Sequence, residues 1–431
     1  MAHEPTIAIV GAGFAGLNLV RSLADKPVRV YLIDRHNYHT FQPLLYQAAT
    51  GYLESNSISN SIRAIFENQK NFAFTMGEAS HVDYEQRGVR VATTGNFALE
   101  VDYDFLVLAA GAETDFFGTP GATNAFTLKS LDDATRLRNQ IFRQFELVAS
   151  GALQPESGAL TFAIVGGGST GVELAGALSD LFRYTLARQF HGGAVRSARI
   201  ILIEALPRLL QAFHPKSSSY AKRLLEDRGV TVRLGERVES VDREGLTLLS
   251  GERIEAHTVV WVAGVKAAGI IDALPAGKTR GGRVAVGPDL SLRHHPEVFV
   301  IGDAAATWDQ SGRLFPQLAP VAVQQGRHVA RQLERRLEGL QGEAFDYVDR
   351  GTMSTIGRNA AIAELPHGLR FHGYPAWTMW LGLHLIELIG FRNRTNVLLD
   401  WGWNYLTHHR GAGLMQCEGM GGPAESEPPA R

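Results

Sequence analysis

At 431 residues, with hydrophobic side chains at 45%, charged ones at 20% and a formal net charge of −2, the chain has an ordinary globular composition and room for two or three domains with full cores. The charge gives no reason to expect nucleic acid, and His294/His295 and His408/His409 lack partners at metal-ligand spacing, so they read as surface or turn residues. The lone cysteine, Cys417, excludes a disulfide within the chain and fits a reducing compartment.

Neither a signal nor a transit peptide is expected, because an apolar strand, TIAIV, begins by Thr6 or Ile7. It breaks into G-x-G-x-x-G at Gly11, Gly13 and Gly16 and runs on as a helical pattern from Ala15 to Leu23. In such a loop one glycine makes the turn, one lets backbone N–H groups approach a pyrophosphate, and one lets helix pack on strand. The pyrophosphate then sits at the positive end of the helix dipole. A second strand, VRVYLID, ends at Asp34, where a carboxylate accepts hydrogen bonds from ribose hydroxyls. The aromatic and polar stretch from His36 to Ser59 has little periodicity; it is either a cover over a cofactor or an ordinary surface loop. The strand from Phe105 to Ala110 then delivers Gly111 to the point where a dinucleotide fold returns to its ligand.

Residues 128–150 have a helical pattern and lead into a linker, GALQPESGA. TFAIVGGGSTGVE then repeats the opening arrangement, with glycines at Gly166, Gly168 and Gly171 and a following strand, ARIILIE, that ends in Glu204. One such loop is a common turn; two, each trailed by an acid-ended strand, predict two dinucleotide sites. Glu204 would repel a 2′-phosphate, which favours NADH over NADPH at the second. The helix KSSSYAKRLLEDRG, capped at Gly229, and the strands VTVRL and TVVWVAG complete this unit. At PEVFVIGDAAA the chain returns to the first unit, and Asp303 there either accepts a ribityl hydroxyl or caps the next helix.

The tail differs. From Phe371 it holds four of the six tryptophans, Trp377, Trp380, Trp401 and Trp403. A helix from Pro375 to Gly390 would be at most about 24 Å long and contains His384 and Glu387, too short and too polar to cross a bilayer. No stretch reaches 18 consecutive apolar residues, so no spanning helix is expected. Two Trp- and Leu-rich pieces joined by Arg392 and Arg394 and closed by Arg410 suit helices lying in a membrane interface; a dimer interface or core helices are the alternative. The closing GGPAESEPPAR has a disordered composition.

Together these segments resemble the type II NADH:quinone oxidoreductases, the alternative NADH dehydrogenases of respiratory membranes, within the wider pyridine nucleotide-disulfide oxidoreductase-like flavoproteins. The resemblance covers nearly the whole chain. It includes VGAGFAG, LIDRHNYHTFQPLLYQAATG, VGGGSTGVELAGAL, VWVAGV, VFVIGDAAA, LAPVAVQQG, TIGRNAAIAEL and IGFRNRTNVLLDWGWNYLTHHRGA. The glycine loops are shared with many flavoproteins; FQPLLYQ, VAVQQG and FRNR are more particular.

The resemblance implies an α/β fold of two Rossmann-like dinucleotide-binding domains, the second inserted in the first, followed by an amphipathic helical membrane-associating segment. The expected divisions are 1–112 and 282–345 for FAD, 113–281 for NADH with the linker, and 346–431 for the C-terminal region. It further implies that Gly11, Gly13, Ala15 and Gly16, with Phe14 between them, hold the FAD pyrophosphate, and that Asp34 and Arg35 meet the adenosine part. Ala79 would offer its backbone to the adenine, Asp303 would bind the ribityl chain, and Ala110, Gly111, Ala319 and Pro320 would also contact FAD. Gly166, Gly168, Ser169, Thr170, Gly171, Glu204 and Gly264 would hold NADH. Glu173 matches an acid near nicotinamide and flavin, although a carboxylate in the first turn of a helix also satisfies the dipole. Tyr46 and Gln47 match a loop beside the quinone pocket, and Gln324 would help orient the quinone.

One departure stands out. The family often shows A-Q-x-A-x-Q where this chain has Ala319, Pro320, Val321, Ala322, Val323 and Gln324, so Pro320 replaces the first glutamine and removes its side-chain donor. Flavoenzymes that reduce disulfides or sulfide commonly relay electrons through a cysteine thiolate, and neither nucleotide region here holds one. Electrons from NADH would therefore leave the flavin directly for a membrane quinone, without proton pumping. The expected location is peripheral, on the cytoplasmic face of the plasma membrane in a bacterium, and a homodimer is compatible with it. The competing readings are a soluble FAD-dependent NAD(P)H oxidase or reductase that serves oxygen or a small redox protein, and a flavoprotein kept for NADH binding alone.

Overall fold

A computed structural model of the chain describes residues 4–93, 95, 97–190, 194–279, 281–407 and 414–415; His408, His409, Arg410, Cys417 and the closing GGPAESEPPAR lie outside the described residues. The run TIAIV forms β1 (Thr6–Val10), the glycine loop turns into α1 (Phe14–Ser22), and β2 (Arg29–Asp34) returns parallel to β1 with Ile7 opposite Val30. A short helix α2 (Leu45–Ala49) precedes β3 (Phe72–Asp83), β4 (Gly88–Thr93), β5 (Ala98–Asp102) and β6 (Phe105–Leu108). The helix expected over 128–150 is α3 (Leu131–Ala149); Ser130 and Asp133 fix its start as a reciprocal capping box.

The second unit comprises β7 (Thr161–Val165), α4 (Ser169–Asp180), β8 (Arg199–Glu204), α5 (Pro215–Asp227), β9 (Val230–Leu234) and β10 (Thr258–Trp261). Then come β11 (Val298–Val300), α6 (Ala319–Leu337), β12 (Thr352–Thr355), β13 (Ala361–Glu364), β14 (Arg370–Gly373), α7 (Tyr374–Glu387) and α8 (Phe391–Thr407).

Two sheets organise these elements, the second parallel throughout and the first parallel from β11 to β3, with β4 and β5 added antiparallel at its edge. The first runs β11-β6-β1-β2-β3-β4-β5, the second β9-β8-β7-β10. Their central strands are buried on both faces, which is why they read as continuous apolar runs rather than alternating ones. β11 pairs with β6, Phe299 opposite Val107, so the chain leaves the first sheet after β6 and rejoins it at β11 with the second unit inserted between. Both glycine loops stand at the carboxyl ends of their first strands, the edge where open α/β sheets take ligands.

The stretch from His36 to Ser59 is no loose surface loop. It folds into a 3-10 turn and α2, and every residue of α2 is buried. It shares one core with Trp380 of α7 and Trp401 of α8. The tail helices therefore pack inward as core helices through these two tryptophans, while Ile386, Phe391, Leu399, Trp403 and Leu406 remain exposed on the other side. Arg394, expected as an interfacial cation, instead closes α7: its guanidinium donates to the Leu388 and Ile386 carbonyls at 2.7 Å each. No helix among the described residues is long and apolar enough to cross a membrane.

Candidate functional site

The two glycine loops are built alike. Asp34 accepts the Ala12 N–H at 2.7 Å and the His36 N–H at 2.8 Å, so the acid at the end of β2 clasps the first loop. Glu204 at the end of β8 accepts the Gly167 N–H at 2.6 Å and the Leu206 N–H at 2.8 Å in the corresponding places. The glycines of each loop differ in their surroundings. A Cβ on Gly16 would lie 1.9 Å from the Gly11 carbonyl oxygen, and one on Gly171 1.9 Å from that of Gly166; these glycines exist for close packing. A Cβ on Gly13 or Gly168 would meet nothing within 4 Å, so the middle glycine of each loop borders open space that a ligand's phosphates can enter.

A cleft of about 780 Å³ opens beside the first loop. Gly11, Gly13, Phe14, Ala15, Asp34, Arg35, Ala110, Gly111, Asp303 and Ala319 line it, and so do Tyr46 of α2 and Thr170 and Glu173 of α4. The helix that leaves the second loop thus walls the cleft of the first. Glu173 is not in the first turn of α4, so the helix-dipole explanation for its presence fails. It is buried, and burial pushes its carboxyl up to about 8, against a hydrogen bond of 3.3 Å from the Thr355 backbone N–H. A proton can therefore be held at, or released from, this carboxyl near neutral pH.

Asp303 occupies a 3-10 turn, Gly302–Ala304, and is not the cap of α6, which follows Leu318. Burial pushes its carboxyl up, opposed by the nearby charges of Lys129 and Arg283. Gln325, fully buried, holds that turn: its Oε1 accepts the Gly302 N–H at 2.7 Å, and its Nε2 donates to Thr307 Oγ1 at 3.1 Å. His39 also lines the cleft. Its Nδ1 bonds the Ala12 carbonyl at 2.8 Å, while Nε2 is buried without a hydrogen-bond partner among the described residues. Burial holds this imidazole below its ordinary range, so Nε2 offers a lone pair to a ligand hydroxyl or N–H. An orphaned buried acceptor and an open glycine cradle in one cleft fit a bound dinucleotide.

Other expected residues stand apart. Gly16 is packed behind the loop, and Ala79 is buried in β3 opposite Val91. Gly166, Gly168, Ser169, Gly171, Glu204 and Gly264 belong to the second loop and its surroundings rather than to this cleft; Gly264 packs where a Cβ would strike the Phe117 ring at 2.1 Å. Pro320 sits in the first turn of α6, where a missing N–H costs no helical hydrogen bond. Gln47 lies behind Tyr46, to whose hydroxyl its Nε2 donates at 2.9 Å. Gln324 is not a wall of the cleft: its amide is tied at both ends to the Val348 backbone, at 2.9 and 3.0 Å. Gln325, His39, Lys129 and Thr355 were not singled out by the sequence reading.

Residues 5–326 match the pyridine nucleotide-disulphide oxidoreductase family, and residues 350–408 match the NDH2 C-terminal domain. The type II NADH:quinone oxidoreductase Ndh of Mycobacterium tuberculosis is 37% identical over 419 residues, which cover 94% of this chain and 89% of that relative. A type II NADH:quinone oxidoreductase of Staphylococcus haemolyticus is 29% identical over 365 residues, 83% of this chain and 88% of that relative. NDH2 from Plasmodium falciparum, solved in complex with NADH, has the same fold, with a TM-score of 0.86 at 21% identity over 94% of this chain and 99% of that one. The sulfide:quinone oxidoreductase of Aquifex aeolicus is a more distant structural likeness, with a TM-score of 0.71 at 15% identity over 93% of this chain and 95% of the other.

Proposed function

This chain belongs to the type II NADH:quinone oxidoreductases, and from that premise we propose that it oxidises NADH and reduces a quinone, with FAD as resident cofactor. When bound, FAD supplies the redox chemistry, taking a hydride from NADH and passing two electrons to the acceptor. What carries the reading is the shared wall: α4, which leaves the second glycine loop, borders the cleft of the first, and Glu173 lies at that wall. Reacting groups held on either side would meet there in an aligned, water-poor space.

In this reading the backbone of Gly11 to Gly16 cradles the FAD pyrophosphate, Asp34 and Arg35 meet the adenosine, and the Ala79 backbone meets the adenine. Ala110, Gly111 and Asp303 take the ribityl side, while Ala319 and Pro320 approach the ring through backbone at the start of α6. Gly166, Gly168, Ser169, Thr170, Gly171, Glu204 and Gly264 form the NADH site. Glu173 holds a proton beside the reacting atoms, and Tyr46, backed by Gln47, borders the quinone. Gln324 would reach a quinone only by giving up its two bonds to Val348. The divisions in this reading are 1–112 and 282–345 for FAD, 113–281 for NADH and 346–431 for the C-terminal region; the insertion of the second sheet's strands between β6 and β11 supports the first three.

The exposed apolar side of α7 and α8 supports peripheral membrane association, with Ile386, Phe391, Leu399, Trp403 and Leu406 entering the interface. In a bacterium this would be the cytoplasmic face of the plasma membrane. Oxygen or a small redox protein as acceptor has less support, since the region 350–408 matches the NDH2 C-terminal domain. Initial rates against NADH at several concentrations of a short-chain quinone analogue test the proposal. Parallel double-reciprocal lines are expected; rates independent of the quinone and equal to oxygen consumption overturn it.

A further inference from the structure

We propose that Trp401, in the C-terminal helix, is a positioning residue for Glu173: through Gln47, Tyr46 and Thr355 its indole N–H fixes the hydrogen bond that the cleft carboxylate receives. The inference rests on the reading of Glu173 as the group beside the reacting atoms. Trp401 Nε1 donates to Gln47 Oε1 at 2.8 Å, across 354 positions of sequence. Gln47 Nε2 reaches the Tyr46 hydroxyl at 2.9 Å, that hydroxyl lies 2.9 Å from Thr355 Oγ1, and the Thr355 N–H points at Glu173 Oε1 at 3.3 Å. All five side chains are buried, so water does not compete for these bonds.

The direction of the chain follows from donor chemistry. An indole N–H can only donate, so Gln47 must turn its Oε1 toward Trp401 and its Nε2 toward Tyr46. The Tyr46 oxygen then accepts from Gln47 and has its own proton to give Thr355 Oγ1. Thr355 is thereby held with its N–H toward Glu173. Without the indole donor nothing prefers one orientation of the Gln47 amide over the other, and the flipped amide would draw the Tyr46 proton away from Thr355. A carboxylate that loses a donor is less stable as an anion, so Glu173 would hold its proton to higher pH.

The Glu173→Gln variant separates this effect from the ionisable neighbours. Tyr46, on α2, is kept protonated by burial and by Glu173. Lys129 and Asp303 line the same cleft. His384, stacked on Trp380 behind Tyr46 at 3.9 Å, is held neutral by burial at about 4. Asp180, farther along α4, is paired with Arg228 at 2.9 Å. The strand β12 contributes no charged side chain.

The test is the rate of flavin reduction by NADH in the holoenzyme, followed by rapid mixing from pH 5.5 to 9.5. Glu173→Gln is expected to abolish an inflection that the unaltered enzyme shows. Trp401→Phe, which keeps an aromatic ring and loses the donor, should move that inflection to higher pH by about half a unit or more, and should add nothing on the Glu173→Gln background. Tyr46→Phe removes one oxygen from the middle of the chain, leaves the packing in place, and should produce the same shift. If Glu173→Gln abolishes the inflection while Trp401→Phe and Tyr46→Phe leave it where it was, the relay is overturned and the reading of Glu173 stands. If the inflection survives Glu173→Gln, both fall.

Discussion

The Thr355 backbone N–H donates to Glu173 Oε1 at 3.3 Å, a contact between residues 182 positions apart. It compensates only in part for burial, which leaves the carboxyl at about 8. Between the ordinary carboxylate range and that value the folded protein keeps this proton and the unfolded chain releases it. The contribution of Glu173 to stability is therefore most favourable below that window and is lost as pH rises through it. The unfolding temperature of the holoenzyme should fall relative to Glu173→Gln between pH 5 and 8.5, by the equivalent of roughly a few kcal/mol. A gap between the two proteins that does not change with pH contradicts the burial argument. The same variant should lower turnover by about a hundredfold, with FAD content unchanged.

The glycines of the first loop should separate binding from folding. At Gly13 a side chain meets nothing in the protein but fills the cradle, so Gly13→Val should give a folded protein that purifies without flavin. At Gly16 even Ala puts a carbon 1.9 Å from the Gly11 carbonyl oxygen, and the backbones must part. Gly16→Ala should cost about 1–3 kcal/mol or more in stability. Circular dichroism melts and the flavin-to-protein absorbance ratio read the two effects; equal flavin loss with equal melting behaviour would show that the loop does not divide its tasks this way.

Adjacent glutamines should behave differently. Gln325→Leu leaves the Gly302 N–H buried without an acceptor, a loss of about 1–3 kcal/mol, and loosens the turn that carries Asp303. Flavin should then dissociate more readily on dilution. Gln324→Leu breaks only contacts to Val348 and should retain flavin as the unaltered protein does. The reverse ranking, measured by flavin fluorescence released on dilution, would place the functional glutamine at 324.

Membrane association should depend on the outer side of the tail and not on its inner side. Phe391→Asp combined with Leu406→Asp alters two residues exposed at 85% and 78%, so folding should be unaffected. Flotation with phospholipid vesicles should be lost, while NADH oxidation with a water-soluble quinone analogue continues at the original rate. Undiminished flotation would assign the membrane contact to another surface.

Much of the fold was legible because its signals are local. The apolar runs of β1 and β7, the glycine spacing and the acids Asp34 and Glu204 all lie within about 45 residues of one another in each unit, and local spacing encodes the Rossmann turn. Gln325 could have been found as well: Val321, Gln325, Val329 and Leu333 form a row at intervals of four, which puts this glutamine on the buried stripe of α6, with Gln324 off it. Thr355 and Trp401 could not. Each reaches the site across more than a hundred residues, and nothing in TMSTIGRNA or DWGWNYL marks a hydrogen bond to α4 or α2. The tail's composition left its two sides unassigned for a related reason: Trp-rich helices look the same whether tryptophan faces outward or into the core, and here Trp380 and Trp401 take the core while Trp403 stays outside.

An anaerobic titration of the purified protein, first with NADH and then with a quinone analogue, goes furthest in deciding whether two dinucleotides meet across the cleft beside Glu173. One equivalent of NADH should bleach the flavin absorbance, and one equivalent of the quinone should restore it without oxygen. A polypeptide that is colourless and takes up no added FAD, or a bound flavin that NADH leaves oxidised, would contradict it.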